Sequence, residues 1–367
     1  MKYSTFKHIP GQVILFGSGE TSTSGRKTWE WLFRQTPARP QIAVLETPAG
    51  FQPNSRLVAQ RVQEYLETRL KNHTPQVELI PARERGTTFS PDQADLLTPL
   101  CTADVLFMGA GSPTYAARQL EGSLAWEIVE TRAHQGASIV LASAAILAAS
   151  FFTLPVYEIY KVGEPLHWLT GLDFFSKLGL SAVFIPHWNN NDGGTELDTS
   201  HCFMGQARWE RLKTLLPKGI PVVGIDEHTS LVLDPTNQTA TVFGTGGVTV
   251  ENETNTVTYA SGARLSFREL GTLPETTPSE EPLTYAPRQE ILDLIHAAQA
   301  TRTPKESPLP EDVTRLMAAR ANARQQKDWQ GADRLRDELL SLGWAVQDTP
   351  SGPIAQPISP SVTHSTT

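Results

Sequence analysis

The sequence predicts an α/β fold: a mostly parallel sheet with helices on both faces, an antiparallel β finish and a C-terminal helical hairpin. Three observations predict it. Short apolar runs alternate with stretches of helical periodicity through the first two-thirds of the chain. The residues with chemical potential (Ser18, Glu20, Gly111, Ser112, Ser143, His187, Asp226 and Glu227) all fall just after such runs, where ligands sit outside the carboxyl ends of parallel strands. Past His228 the pattern changes to alternation broken by turn signals.

In order, Val13 to Phe16 reads as a first strand ending in Gly17-Ser18-Gly19-Glu20, and Ile42 to Leu45 as a second, followed by Glu46-Thr47-Pro48-Ala49. Ser55 to His73 has helical spacing, with Leu57, Val58, Val62, Tyr65, Leu66 and Leu70 on one face. Val77 to Ile80 and Val105 to Met108 are further strands, the latter running into Gly109-Ala110-Gly111-Ser112-Pro113. Ser138 to Leu141 continues through Ala142-Ser143-Ala144 into an alanine- and leucine-rich segment: a strand, a tight turn and a helix with one hydroxyl at the turn. Ala182 to Ile185 and Val222 to Ile225 close the parallel pattern. The β finish runs from Ser230 to Phe267. Gly271 to Pro287 is rich in Pro, Thr and Glu, as a linker is; Gln289 to Arg302 has the pattern of a helix, and a second proline-bearing hinge covers Pro304 to Pro310. Glu311 to Leu342 reads as two amphipathic helices broken near Lys327 and Asp328, and the Pro-, Ser- and Thr-rich tail from Thr349 reads as disordered. The expected domains are therefore 1–270, a linker with one helix at 271–309, a hairpin at 310–353 and a tail at 354–367.

The strand–serine–helix unit has the layout of a nucleophile elbow. Such a turn lifts a serine off the sheet, with the next N–H and the helix N-terminus facing an oxyanion. A buried strand and core helix with an incidental serine would leave the same pattern. His187 follows a strand and precedes Trp188-Asn189-Asn190-Asn191-Asp192-Gly193-Gly194, a place suited to a general base. Glu158 could orient that imidazole, with Asp173, Glu164 and Glu227 as competitors; a metal held by His187, Asp192 and His201 is a further possibility. Gly17/Gly19 and Gly109/Gly111 could let backbone N–H groups approach an oxyanion, yet neither pair completes a nucleotide-binding glycine motif.

Composition narrows the classes. A net charge of −8 and a pI of about 5.6 argue against a general affinity for nucleic acid. Cys101 and Cys202 have no zinc spacing, so both are expected as free thiols in a reducing cytoplasm, without cofactor or metal. The uncharged stretch after His134 is diluted by Ser138, Ser143, Ser150, Thr153 and Pro155, which does not suit a bilayer span. No long apolar segment precedes Gly11, so no secretory signal is expected.

Taken together, LFGSGE, FMGAGSPTYAARQL, the strand–serine–helix unit, the histidine-bearing strand end and GIDEHTSLVLD followed by VFGTGGVTV resemble the cyanophycinase and dipeptidase E family of serine peptidases. The resemblance runs from about Val13 to Phe267 and implies a class I glutamine amidotransferase-like fold. It also implies Ser143 as nucleophile, His187 as base, a carboxylate near Glu158, and an oxyanion hole from the backbone of Gly111 and Ala144. Three departures are visible. The family's G-x-S-A-G elbow reads LASAA here; the Asp-Gln before the histidine is Ile185-Pro186; and Pro113 replaces the Gln after Gly-Gly-Asp. Cyanophycin is accordingly not the expected substrate. The run LMAARANARQQKDWQGADRLRDELLSLGWAVQDTPSGP resembles the hairpin that ends cysteinyl-tRNA synthetases, while HIGH and KMSKS signatures are absent from the chain.

The expected function is a serine-type hydrolase cleaving a peptide or small amide bond. The alternative is a binding protein that kept the fold, with the hairpin as an RNA or protein interaction module. The basic residues of the hairpin are matched by acids, which predicts weak or no binding of the Pro310 to Pro353 segment to tRNA.

Overall fold

The computed structural model describes residues 11–271, 286–301, 310–326, 328–349 and 352–357. Most of the expected Pro-rich linker, and the tail beyond Pro357, lie outside the described residues. The chain divides into two compact units, Met1–Thr301 and Arg302–Thr367.

In chain order the strands of the first unit are β1 (Val13–Phe16), β2 (Gln41–Leu45), β3 (Gln76–Ile80), β4 (Val105–Met108), β5 (Ser138–Ala142), β6 (Phe152–Thr153), β7 (Leu169–Thr170), β8 (Val183–Ile185), β9 (Val222–Ile225), β10 (Thr229–Asp234), β11 (Thr239–Gly244), β12 (Gly247–Glu251), β13 (Thr256–Ala260) and β14 (Arg264–Ser266). Its helices are α1 (Thr23–Phe33), α2 (Ser55–Arg69), α3 (Ala94–Thr102), α4 (Pro113–Leu120), α5 (Leu124–His134), α6 (Ala144–Ala149), α7 (Ser200–Phe203), α8 (Gly205–Lys213), α9 (Phe267–Leu270) and α10 (Gln289–Thr301).

The large sheet has the order β14-β11-β10-β1-β5-β4-β2-β3. Its members from β1 to β3 run parallel, and β10, β11 and β14 add antiparallel strands at one side. A smaller sheet, β13-β12-β9-β8, joins parallel β8 and β9 to an antiparallel pair. The mixed α/β architecture and the antiparallel finish are those expected.

The inner strands β1 and β4 read as unbroken apolar runs because both faces of the sheet are covered there, whereas β3, at the sheet edge, exposes Gln76 and Glu78. Along β1, Val13 and Leu15 enter one cluster with Leu97, Leu120, Trp126 and Ile128 of α3, α4 and α5. Ile14 and Phe16 enter the opposite cluster with Trp29, Leu32, Val62 and Leu66 of α1 and α2. The period-two alternation of the strand thus divides the core into two layers. Trp29 anchors the second layer. It is 1% exposed, its ring lies 5.8 Å from that of Phe16 and 6.1 Å from that of Phe107, and its indole N–H donates to the Glu20 carbonyl over 2.8 Å. Trp29→Ala should therefore lower unfolding free energy by about 3–5 kcal/mol, read as a reduced denaturant midpoint.

Helix α10, expected inside a linker, belongs to the first unit. Ile291 and Ile295, four residues apart on one face, are fully buried in the layer built by α3 and α5. At its start the Arg288 guanidinium donates two bonds of 2.7 Å to the Glu127 carboxylate.

The second unit pairs α11 (Glu311–Gln325) with α12 (Trp329–Ser341), with the break where the sequence places it; Asp328 caps α12 by accepting from the Gly331 N–H at 2.9 Å. The expectation of disorder from Thr349 is corrected: β15 (Trp344–Thr349) pairs antiparallel with β16 (Gly352–Pro357). Trp344, Val346 and Ala355 lie against the Val313, Leu316 and Leu339 core of the two helices, so this stretch has an apolar face to bury that its Pro and Ser content conceals.

Candidate active site

Strand β5 lies inside the large sheet between β1 and β4, and the chain turns sharply at its carboxyl end. Ser143 sits at φ 53°, ψ −119°, in a backbone region that costs a non-glycine residue about 1–3 kcal/mol. Two bonds hold it there. Its N–H donates to the Phe16 carbonyl (3.1 Å), and its own carbonyl accepts from Ile146 N–H (3.0 Å). Leu141, Ala142, Ala144 and Ala145 are not among the positive-φ residues, so the strain falls on the serine alone. Ala142 and Ala145 are buried in opposite core layers. The sharp turn accordingly forms without flanking glycines. Ala144 is the first residue of α6, and by position its N–H has no acceptor within the helix.

The smaller sheet supplies the partners. His187 lies two residues beyond the end of β8, and Glu227 two residues beyond the end of β9, its parallel neighbour. Adjacent parallel strands bring these two positions to one edge. The Ser143 Oγ and His187 Nε2 are 2.8 Å apart, and the His187 Nδ1 and Glu227 Oε1 are 2.8 Å apart. Glu227 Oε1 also accepts from Asn190 Nδ2 at 2.8 Å, while Oε2 accepts from the Ser18 hydroxyl. A carboxylate at Oε1 fixes the proton on Nδ1 and leaves the Nε2 lone pair for the serine hydroxyl.

His187 itself has φ 53°, and its carbonyl accepts from the Cys202 N–H at 3.1 Å. In the short turn α7, His201, Cys202 and Phe203 have left-handed φ, so it is not a regular right-handed helix, and the Phe203 ring lies 6.0 Å from the His187 imidazole. Burial pushes the Cys202 thiol up, so it behaves as an inert apolar side chain. Cys101 is likewise free, with its thiol raised by burial to about 11.

The expectation that Glu158 orients the imidazole is corrected: the carboxylate on Nδ1 is that of Glu227. Glu158 opens a π-helical turn, and its buried Oε2 has no hydrogen-bond partner among the described residues. Sequence reasoning named Glu227 only as a competitor, although the pairing of two apolar runs that each end in a functional residue was the available signal. Asn190 and Ser18 had no role assigned. Gly111 packs tightly on the β2 exit, since a Cβ there would lie 1.9 Å from the Pro48 carbonyl oxygen. His187, Asp192 and His201 do not form a ligand set: among the described residues no group of three or more His, Cys, Asp or Glu could hold a metal. His201 instead stacks on Trp209, with ring centroids 5.4 Å apart. Among the described residues no helix is long and apolar enough to cross a membrane.

Electrostatics at the site pull in opposite directions. Burial raises the Glu227 carboxyl, but hydrogen bonds from His187, Ser18 and Asn190 outweigh it and hold the group at about 2. A depressed carboxyl stabilises the fold above its unfolded value, and that contribution is lost as pH falls through the folded one. Titration from pH 4.5 towards 2 should therefore weaken the wild type, and the Glu227→Gln variant should lack this part of the acid transition when melting is followed against pH. Glu20 has the reverse sign. Burial raises its carboxyl, with its own backbone N–H and the His187 imidazole opposing, so its contribution is present at low pH and lost on raising it.

Four similarities to known proteins bear on the two units. The chain resembles a peptidase from an acI-B1 Actinobacterium with a TM-score of 0.57 at 18% identity, covering 71% of this chain and 98% of that one. Residues 306–352 match the family model described as the cysteinyl-tRNA ligase anticodon binding domain. Among curated proteins, a cysteine–tRNA ligase of Rubrobacter xylanophilus is 35% identical over 104 residues, which is 26% of this chain and 21% of that protein. A cysteine–tRNA ligase of Burkholderia lata is 52% identical over 44 residues, 12% of this chain and 9% of that protein. The chain thus spans about a fifth or less of the length of these two ligases. The first unit has the fold of the actinobacterial peptidase, and residues 306–352 are similar to the anticodon binding domain of cysteinyl-tRNA ligases.

Proposed function

We propose that the first unit is a serine-type hydrolase that cleaves a peptide or small amide bond. The observation that carries this is the relay Ser143–His187–Glu227, with both links at 2.8 Å. Ser143 Oγ attacks the carbonyl carbon while His187 Nε2 takes the hydroxyl proton. The Nδ1 proton stays on the ring, bonded to Glu227, whose charge stabilises the imidazolium. The N–H groups of Ala144 and Gly111 receive the oxyanion of the tetrahedral intermediate. Collapse breaks the C–N bond as Nε2 returns its proton to the leaving amine. Water, deprotonated by the same nitrogen, then hydrolyses the acyl-serine ester. Labelling of Ser143 by a fluorophosphonate, located by peptide mass, tests the reading; a wild-type protein inert both to it and to varied dipeptides and acyl amides overturns it.

A second reading concerns the hairpin, and the match of residues 306–352 favours it: this unit binds RNA of the kind that anticodon domains bind. Trp329 is 57% exposed at the turn of the hairpin, and the Arg324 guanidinium lies 5.8 Å over its ring. Such a pair offers a stacking surface for an unpaired base. Trp329→Ala in the full chain should weaken tRNA binding roughly 10-fold, read by fluorescence anisotropy, with a shallow salt dependence because the hairpin carries balanced charge. Equal affinity of variant and wild type removes Trp329 from the contact.

A further inference from the structure

The glycine-framed turn Gly17-Ser18-Gly19 is not absorbed by the relay, although it ends the strand beside β5. We propose that this turn exists to bring Ser18 against Glu227, and that Ser18 and Asn190 are positioning residues that clamp the two carboxylate oxygens. The inference rests on the triad reading above.

The glycines fit this task. A Cβ at Gly17 would lie 2.2 Å from the Asp226 carbonyl oxygen and 2.6 Å from that of Ile225. A Cβ at Gly19, where φ is +76°, would lie 2.6 Å from His228 Nδ1. Both sites therefore let the end of β1 press on the segment that carries Glu227, a contact that no larger residue permits. Between them, the Ser18 hydroxyl donates to Glu227 Oε2 and accepts the His228 N–H at 2.9 Å. The hydroxyl has its proton committed to the carboxylate and a lone pair committed to the backbone, so its orientation is fixed. Asn190, 5% exposed, donates to the other oxygen, and Asn189 Oδ1 accepts the Glu227 N–H at 2.7 Å. A glutamate side chain has one more rotatable bond than an aspartate. Tethers on both oxygens remove that freedom, so that Oε1 faces Nδ1 in a single geometry.

The test uses the full chain and a fluorophosphonate whose labelling of Ser143 saturates, so that the limiting rate and the half-saturating concentration separate. Ser18→Ala and Asn190→Ala should each lower the limiting rate roughly 10- to 100-fold, the loss expected for one hydrogen bond to a charged group, without moving half-saturation. Ser18→Thr, which keeps the hydroxyl, should restore most of the rate. The downfield proton resonance of His187 Nδ1 should broaden or shift in the alanine variants and return in the threonine one. Wild-type labelling rates in both folded alanine variants, with that resonance unchanged, overturn the inference and leave the hydrolase intact. If Ser18→Ala does not fold, Asn190→Ala decides by the same two readings. A wild type inert both to the reagent and to varied dipeptides and acyl amides overturns the hydrolase reading instead; wherever labelling is absent the proton resonance decides the clamp alone, and an unchanged signal in the alanine variants overturns it.

Discussion

Ser143→Ala should abolish fluorophosphonate labelling and cut turnover of any substrate by roughly 10⁶-fold, to the level left by binding and the oxyanion donors alone. The oxygen removed is the one atom in the site placed 2.8 Å from an imidazole nitrogen that is free to accept its proton. Folding should survive the change. Ser143 makes no capping bond to α6 with its side chain, and its backbone bonds to Phe16 and Ile146 do not involve the hydroxyl. A melting temperature near that of wild type together with lost labelling assigns the effect to chemistry; labelling that persists in the variant places the nucleophile elsewhere.

The second large effect separates two carboxylates. Glu227→Gln should lower the labelling rate by roughly 10³- to 10⁴-fold, because an amide opposite Nδ1 no longer demands the tautomer that leaves Nε2 free and supplies no charge to the imidazolium. Glu158→Gln should label at the wild-type rate, since Glu158 makes no hydrogen bond to the ring. The reverse outcome, a collapse in Glu158→Gln with Glu227→Gln active, returns the role to the residue that sequence order favoured.

That contrast shows where sequence reasoning reaches its limit. The inner parallel strands were legible because they are buried on both faces and so appear as closed apolar runs, Val13–Phe16 and Val105–Met108 among them. Ser143 and His187 were legible for a related reason: a polar residue just past such a run is pinned to the sheet edge. The carboxylate was not, because its identity depends on which strand lies next to β8. Glu158 is nearer to His187 along the chain, but β9 pairs with β8 in register Ile185↔Gly224, and only this lateral pairing selects Glu227. The β15–β16 hairpin was hidden for another reason: Gly352 and Pro353 have the composition of a loose tail, while Trp344 and Val346 pair across to Pro357 and Ala355. Helix α10 had visible periodicity, yet no local feature tells that Ile291 and Ile295 dock on α3 and α5.

The groups proposed to react come from two separate sheets: the hydroxyl follows a strand of the large sheet, and the imidazole and its carboxylate follow strands of the small one. Under the proposed function, activity depends on the two sheets keeping their relative position. Mild denaturant that loosens β8 and β9 while β1, β4 and β5 stay closed would part the hydroxyl from its base, and phosphonate reactivity would fade at concentrations where most of the helical signal persists.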